Sequence, residues 1–264
     1  MQEKMKLKAL IFDVDGTVAE TERDGHRVAF NLAFDELNLP WQWDVDFYGK
    51  LLKIGGGKER FTYYVNNYQQ DFKLPASLDE FVLNVHKIKN QYYAQLVQDK
   101  TIKLRTGVAR LMTEAHEKNV RLAIASTSAV KNVKALLDGT CDPKMISWIE
   151  VIAAGDMVEN KKPAPDIYQL ALKKLNLSPH ECVTIEDTNQ GLVAATKANI
   201  KAIITINDYT KDENFDSAMV VLNSLGDEKN PCNVIQYQDE ISSLIPQLDK
   251  KCLTIDLIDD ILSR

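Results

Sequence analysis

The chain has 264 residues, and 32 Lys and Arg residues against 38 Asp and Glu residues give a formal net charge of −6. This mildly acidic balance argues against binding to DNA, RNA or an anionic membrane, and no apolar run approaches the roughly 18 residues of a membrane helix. Hydrophobic residues make up 45%, as in folded globular proteins. We expect a cytoplasmic protein and, because the first strand begins at Leu7, no signal peptide.

The chain begins with a predicted strand. Leu7–Phe12 is a short apolar run that stops at the acidic sequence Asp13-Val14-Asp15-Gly16-Thr17. A buried strand that ends in acids and a glycine is typical of a parallel sheet, with polar side chains delivered at the carboxyl end of the strand.

The next segment, from about residue 22 to 100, has helical periodicity and no convincing strand. The spacing predicts helices over Arg27–Leu39 and Leu78–Val97. Turn signals at Leu39-Pro40, Gly55-Gly56-Gly57 and Leu74-Pro75 divide the segment further. We therefore expect a second, α-helical domain over residues 21–100, inserted after the first strand.

From about residue 103, predicted strands and helices alternate. The strands are Val120–Ala125, Ile149–Ala153, Cys182–Ile185 and Lys201–Thr205, and the helices are Ala129–Leu137, Ala164–Leu175 and Gln190–Ala198. Alternation of this kind predicts an α/β fold, a Rossmann-like parallel sheet covered by helices on both faces, built from residues 1–20 and 101–264.

The tail and the cysteines carry no chemistry that the sequence reveals. Two further helices are predicted in the tail, over Val234–Leu244 and Ile255–Leu262. The four cysteines are scattered and form no Cys-x-x-Cys pair, so we expect free thiols.

Polar side chains follow four of the predicted strands. They are Asp13 and Asp15 after the first, Ser126-Thr127-Ser128 after the second, Gly155-Asp156 and then Lys161-Lys162-Pro163 after the third, and Glu186-Asp187 after the fourth. Ligands of an open parallel sheet bind outside the carboxyl ends of its strands, so these groups are expected to converge.

The convergent groups fit a phosphate ester and a divalent cation. Neighbouring carboxylates repel one another unless a cation lies between them, and hard oxygen ligands select an ion such as Mg²⁺. A lysine and a strand-end hydroxyl suit the remaining phosphate oxygens. The sequence therefore predicts a centre for phosphoryl transfer.

Position suggests a role for each group. Asp13 is the candidate nucleophile, and Asp15, two residues further on, is the candidate acid and base. Lys162 would balance the charge of Asp13 and the phosphoryl oxygens. Ser126 would donate a hydrogen bond to the phosphate, and Asp187, with Glu186 alongside, would hold the metal.

Each motif alone has a more ordinary explanation. Paired aspartates often stabilise a turn, Ser-Thr-Ser often caps a helix, Lys-Lys-Pro is often solvated charge, and Glu-Asp before a helix often offsets its dipole. Their occurrence together, in order and each at a strand end, favours the catalytic interpretation.

These motifs resemble those of the haloacid dehalogenase superfamily. The matching residues are Asp13-Val-Asp15-Gly16-Thr17, Ser126, Lys162-Pro-Ala-Pro-Asp166 and Glu186-Asp187. The resemblance implies a Mg²⁺-dependent aspartyl-nucleophile phosphotransferase, most of which are phosphatases, and a helical cap like that of the β-phosphoglucomutase branch. It makes Asp13, Asp187 and the Asp15 carbonyl metal ligands, and Ser126, the Thr127 backbone and Lys162 phosphate ligands.

Further residues resemble the CbbY-like proteins, which remove the 1-phosphate of xylulose 1,5-bisphosphate. They are Ala19–Glu22, the Trp43, Asp44 and Tyr48 set, Gly56–Arg60 and Ala153–Tyr168. This resemblance implies that Glu22, Tyr48, Gly56, Gly57 and Lys58 contact the sugar and its distal phosphate. Between Glu22 and His26 the chain is one residue longer than the family pattern.

Three functions remain open on the sequence. The leading one is a sugar-bisphosphate phosphatase acting on a small phosphorylated sugar, and we expect a monomer. A sugar phosphomutase of the β-phosphoglucomutase kind would share the nucleophile. A catalytically silent binding or regulatory protein would need Asp13, Asp15, Lys162 or Asp187 to be missing, and all four are present.

Overall fold

The computed structural model describes residues 7–54 and 56–264. The chain divides into two compact units. One comprises the N-terminal segment up to Ala19 together with Lys103–Arg264, and the other is the inserted segment Glu20–Ile102. None of the helices in the described part of the chain is long and apolar enough to cross a membrane.

The elements follow one another along the chain in this order. They are β1 Ala9–Phe12, a π-helical turn Thr21–His26, α1 Arg27–Glu36, α2 Val45–Leu51, α3 Gly57–Tyr68, α4 Leu78–Gln98, α5 Val108–Glu117, β2 Arg121–Ser126, α6 Val130–Thr140, α7 Pro143–Ser147, β3 Ile149–Ala154, α8 Asp166–Leu175, a 3₁₀ turn Pro179–Glu181, β4 Cys182–Glu186, α9 Asn189–Lys197, β5 Lys201–Thr205, β6 Val220–Leu222, β7 Val234–Tyr237, a 3₁₀ segment Asp239–Leu244, α10 Ile245–Leu248 and α11 Ile255–Leu262.

The larger unit contains a seven-stranded sheet in the order β3-β2-β1-β4-β5-β6-β7. All neighbouring strands run parallel except β7, which pairs antiparallel with β6. The predicted α/β fold is confirmed. The chain leaves β1 toward β2 and β3 and later returns to β4 on the opposite side, so the topological switch, where such sheets bind ligands, lies at the carboxyl ends of β1 and β4.

All regular secondary structure in the described residues of the inserted unit, 20–54 and 56–102, is helical. Its core is aromatic: the ring of Trp43 lies 4.7 Å from that of Phe30 and 5.0 Å from that of Phe34, centroid to centroid. The longest helix, α4, starts with a capping box in which Ser77 and Glu80 satisfy each other's backbone N–H groups.

The segment before His26 has an unusual helical geometry. Thr21–His26 forms a π-helical turn that runs directly into α1. A π turn bonds residue i to i+5 and so takes up one residue more than an α turn, and such turns occur often at functional sites.

The tail departs from the sequence expectation in part. Ile255–Leu262 is a helix, as predicted. The predicted helix Val234–Leu244 is wrong, because Val234–Tyr237 is a strand paired with β6 and Asp239–Leu244 is a 3₁₀ segment. Along β7 half-buried and exposed side chains alternate, which is the period of a strand and not of a helix. The four cysteines are free, as predicted.

Candidate functional site

The end of β1 delivers the first acidic group. Asp13 follows β1 directly, and its backbone N–H donates to the Ile185 carbonyl of β4 at 3.0 Å, so the strand pairing continues as far as this residue. Its side chain is buried, with 7% of the residue exposed. The carboxylate is therefore held rigidly at the switch between β1 and β4.

A buried lysine joins two of the predicted acids. The Lys162 ammonium donates to Asp13 Oδ1 at 2.6 Å, to Glu186 Oε1 at 2.5 Å and to the Ala125 carbonyl at 2.9 Å. Its side chain is 5% exposed. All three ammonium protons thus have partners, and the positive charge lies between two carboxylates.

Glu186 is held from a second side. The buried Tyr168 hydroxyl donates to the same Glu186 Oε1 at 2.6 Å and accepts from the Thr184 hydroxyl at 3.2 Å. The Asp187 backbone N–H donates to Glu186 Oε2 at 3.2 Å. With donors on both oxygens, this carboxylate has a fixed orientation and fixes the position of Lys162 in turn.

Asp187 lies against the turn that follows Asp13. Its Oδ1 accepts from the Thr17 hydroxyl at 3.1 Å, and its Oδ2 accepts from the Asn207 amide at 2.7 Å. Gly16 has a φ of +87°, and a Cβ there would lie 2.2 Å from Asp187 Oδ2. Only glycine allows both this backbone conformation and this close approach.

The cluster carries more negative charge than its lysine balances. Asp13, Glu186 and Asp187 offer carboxylate oxygens within 4.8 Å of one another. Burial, opposed by Lys162 and reinforced by Glu186 and Asp15, raises the pKa of Asp13 to about 7. Burial, together with Asp13 and Glu186, also raises the pKa of Asp187 well above its usual range. A buried set of hard oxygen donors with an unbalanced charge fits a divalent cation.

The strand-end loop after β2 supplies hydroxyls. Ser126 is buried, and its Oγ accepts from the Ser128 backbone N–H at 3.1 Å. The Ser128 hydroxyl donates to Asp15 Oδ2 at 2.8 Å. Thr127 is half-buried between them. The loop thus lies beside both aspartates of the first motif, where the sequence predicted phosphate ligands.

Comparison with known proteins decides the family. A model of the haloacid dehalogenase-like hydrolases matches residues 10–205. The chain is 44% identical over 222 residues to the CBBY-like protein of Arabidopsis thaliana, covering 83% of this chain and 69% of that protein. It is 40% identical over 225 residues to the plasmid-borne protein CbbY of Cupriavidus necator, covering 85% and 88%. The chain belongs to the CbbY group of haloacid dehalogenase-like hydrolases.

A solved CbbY structure supports this family assignment. A mutant of CbbY from Rhodobacter sphaeroides, in complex with xylulose-(1,5)bisphosphate, matches with a TM-score of 0.68 and 40% identity, covering 83% of this chain and 94% of that one. The family and fold that the motifs predicted are confirmed.

In this CbbY-group chain, two of the residues predicted to contact the substrate meet inside the helical insert. The Tyr48 hydroxyl donates to Glu22 Oε2 at 2.6 Å and accepts from Arg60 at 2.8 Å. Tyr48 is fully buried, whereas about a third of the Glu22 side chain is exposed. Their contact with a sugar stays a prediction.

The other predicted contacts lie at the start of α3. Lys58 and Gly56 are exposed, Gly57 is half-buried, and Gly55 lies outside the described residues. Gly56 has a φ of +88°, and a Cβ on Gly57 would lie 3.0 Å from His86 Nε2. The helix N-terminus and the Lys58 ammonium are compatible with the predicted anion site.

Sequence reasoning missed a second buried cation in the insert. Lys89 is 5% exposed, its ammonium lies 2.9 Å from His26 Nδ1, and burial, opposed by Glu22 and reinforced by Arg60, lowers its pKa to about 8. A signal was present, because Lys89 falls four residues after Val85 on the apolar face of α4.

Three groups near the acids were also missed. Asn207 follows β5, so the strand-end rule that found the other groups would have found it too. The Arg105 guanidinium donates to the Gly16 carbonyl and, at 2.9 Å, to the Thr205 carbonyl. Tyr168 belongs to the family motif Ala153–Tyr168, but a partner for its hydroxyl cannot be predicted from that motif.

Proposed function

We propose that this protein is a phosphatase that removes a phosphate from a sugar bisphosphate through a phosphoaspartate at Asp13, and that its substrate is xylulose 1,5-bisphosphate. The observation that carries the reaction is the buried cluster in which Lys162 bridges Asp13 and Glu186 beside Asp187. The sugar bisphosphate bound by the related CbbY protein supports the substrate.

Mg²⁺ is the cofactor that this donor set fits best. Asp13, Asp187 and the Asp15 backbone carbonyl would hold it, with Glu186 in the same cluster. When bound, the ion supplies positive charge that screens the carboxylates from one another and from the phosphoryl oxygens. Burial, reinforced by the neighbouring carboxylates, raises the pKa values of Asp13 and Asp187, so a bound cation would stabilise their ionised forms.

The first half-reaction transfers the phosphoryl group to the protein. A carboxylate oxygen of Asp13 attacks phosphorus, the bond from phosphorus to the sugar oxygen breaks, and the departing oxygen takes the proton of the Asp15 carboxyl group. The products are a sugar with a free hydroxyl group in place of the phosphate ester and an aspartyl phosphate on Asp13.

The second half-reaction regenerates the protein. The Asp15 carboxylate, now without its proton, removes one from water, and the water oxygen attacks phosphorus. The bond between phosphorus and the Asp13 oxygen breaks, releasing inorganic phosphate and leaving Asp13 ionised and Asp15 protonated. The cycle thus closes on the starting protonation states.

Lys162, Ser126 and Thr127 bind the transferred phosphate in this proposal. The Lys162 ammonium already contacts the nucleophile, so an incoming phosphoryl oxygen would meet a fixed positive charge. The Ser126 hydroxyl and the Thr127 backbone N–H would donate to the other oxygens. These donors are set before the substrate arrives, which lowers the cost of stabilising charge in the transition state.

The insert supports a substrate with a second phosphate. Lys89 and Arg60 are buried near the partly exposed Glu22, and burial, opposed by Glu22 and reinforced by Arg60, lowers the pKa of Lys89 to about 8. Lys58 adds a third cation in the same unit. A pair of buried cations favours an anionic ligand nearby.

The test is Mg²⁺-dependent phosphate release from xylulose 1,5-bisphosphate, ribulose 1,5-bisphosphate, β-glucose 1-phosphate and phosphoglycolate. We expect a strong preference for xylulose 1,5-bisphosphate. Asp13→Asn should abolish phosphate release, and Lys58→Ala should weaken the preference. Turnover of another ester would overturn the substrate and leave the reaction standing. Absence of phosphate release from every ester would overturn the reaction.

A further inference from the structure

A hydroxyl that the proposed reaction does not use contacts the acid–base residue. The Ser128 Oγ donates to Asp15 Oδ2 at 2.8 Å. Ser128 is the second residue after β2, and it lies beyond Ser126 and Thr127, which are proposed to bind phosphate. Its hydrogen bond is directed at the carboxylate that must deliver and remove the proton.

The backbone fixes Ser128. Its N–H donates to Ser126 Oγ at 3.1 Å, and its carbonyl accepts from the Gly155 N–H at 2.9 Å. A Cβ on Gly155 would lie 2.0 Å from the Thr127 carbonyl oxygen, so the loops after β2 and β3 are packed directly against each other. The donor therefore has little freedom to move.

The backbone also fixes the acceptor. Asp15 forms an isolated β-bridge with Ala19, and the neighbouring Gly16 N–H donates to the Ala19 carbonyl at 2.8 Å. With both partners anchored, the hydrogen bond restricts the rotation of the Asp15 carboxyl group about its own side-chain bonds.

We propose that Ser128 is a positioning residue that aims the Asp15 carboxyl group at the leaving oxygen of the substrate. This inference rests on the proposed function, in which Asp15 donates the proton. An acid or base that is oriented by a third group is a recurring arrangement in catalytic sites, because proton transfer depends steeply on the geometry of donor and acceptor.

Leaving-group chemistry isolates this role. When phosphorus is attacked in phenyl phosphate, the basic phenolate oxygen needs the proton of Asp15 as its bond to phosphorus breaks. The less basic nitrophenolate of p-nitrophenyl phosphate leaves without it. Neither ester carries a second phosphate, so the comparison does not depend on recognition of a bisphosphate.

The experiment measures kcat/KM for both esters with Mg²⁺, which reports the steps up to cleavage of the ester bond. For Ser128→Ala we expect a loss of about 10- to 100-fold with phenyl phosphate and of less than about threefold with p-nitrophenyl phosphate. Ser128→Thr, which keeps the hydroxyl, should recover most of the loss. Ser147→Ala, which removes an exposed hydroxyl on α7, is the matched control.

A double variant tests whether Ser128 acts through Asp15. Adding Ser128→Ala to Asp15→Asn should cost less than about twofold further with phenyl phosphate, because the group to be positioned is already gone. Equal losses with both esters, no loss with either, or full additivity in the double variant would overturn the inference alone. A wild-type protein that hydrolyses no phosphate ester would overturn the proposed function and this inference with it.

Discussion

The two units of the molecule bury charge of opposite sign. At the carboxyl edge of the sheet, the Lys162 ammonium pairs with Asp13 and Glu186, Asp187 lies in the same acidic cluster, and burial raises the pKa of Asp13 to about 7. In the helical insert the imbalance is reversed. There Lys89 is buried near a further cation, Arg60, and burial lowers the Lys89 pKa to about 8.

The contrast is consistent with the ligands proposed for each unit. A buried carboxylate with a raised pKa lies in a site that favours added positive charge, and a buried lysine with a lowered pKa lies in one that favours added negative charge. The sheet edge thus suits a cation together with the reacting phosphate, and the insert suits an anion. A bisphosphate substrate with Mg²⁺ supplies both.

The largest expected effect comes from removing the nucleophile. Asp13→Asn should lower kcat for phosphate release by more than about 1,000-fold, because the amide cannot form the acyl phosphate. Asp138→Asn, an exposed position on α6, is the matched control and should keep normal activity. Activity within tenfold of wild type in Asp13→Asn would contradict the assignment.

The charge imbalance of the insert predicts a dependence of stability on pH. The folded pKa of Lys89, about 8, lies below its ordinary value of 10.5. The folded state therefore holds fewer protons than the unfolded state between these values, so the free energy of unfolding rises with pH across that window, by up to about 3 kcal/mol. Lys89→Met should lack this rise.

Trp41 and Trp43, both buried in the insert, report its unfolding by fluorescence when Trp148 of the other unit is replaced by Phe. Denaturant titrations between pH 8 and 10.5 then compare the wild-type lysine with Lys89→Met in this background. Parallel pH profiles for the two proteins would show that Lys89 does not carry the buried charge.

At the sheet edge, Asn207 should set the affinity for Mg²⁺. Its amide donates to Asp187 Oδ2 at 2.7 Å, and loss of a partner that orients a metal ligand typically weakens metal binding about 10- to 100-fold. Asn207→Leu should raise the Kd for Mg²⁺ by this factor in calorimetric titration. An unchanged Kd would show that Asn207 does not contribute to Mg²⁺ binding. Asn66→Leu, at an exposed position in the insert, is the control.

The smallest effect is expected from removal of the Tyr168 hydroxyl, which donates to Glu186. Tyr168→Phe keeps the buried ring but removes the donor to Glu186 Oε1, which should lower the free energy of unfolding by about 1 to 2 kcal/mol. Denaturant unfolding of the larger unit measures the loss. A variant as stable as wild type would mean that Lys162 alone satisfies Glu186 Oε1.

The strand-end groups could be predicted because their positions follow from local patterns. Asp13, Ser126 and Asp187 each follow an apolar run, and parallel strands bring their carboxyl ends to one edge of the sheet. Lys162 lies on a loop after β3, and its place in the Lys162–Asp166 motif was sufficient to predict it as a site residue.

Other parts depend on packing between distant segments. The sequence does not show that the Tyr168 hydroxyl meets Glu186, or that Ser128 meets Asp15, because these contacts arise only when separate strands are aligned. The helix predicted over Val234–Leu244 failed for a similar reason: β7 forms on pairing with β6, and its short run of alternating side chains is ambiguous without that partner.

The most direct test of the account is to observe the phosphorylated protein. Wild-type protein with Mg²⁺ is mixed with xylulose 1,5-bisphosphate labelled in its 1-phosphate, quenched in acid at successive times and mapped by peptide mass spectrometry. We expect label on Asp13 that appears before free phosphate and decays to inorganic phosphate without any added sugar. Label that persists until a second sugar accepts it would indicate a mutase, and label absent from Asp13 would contradict the account.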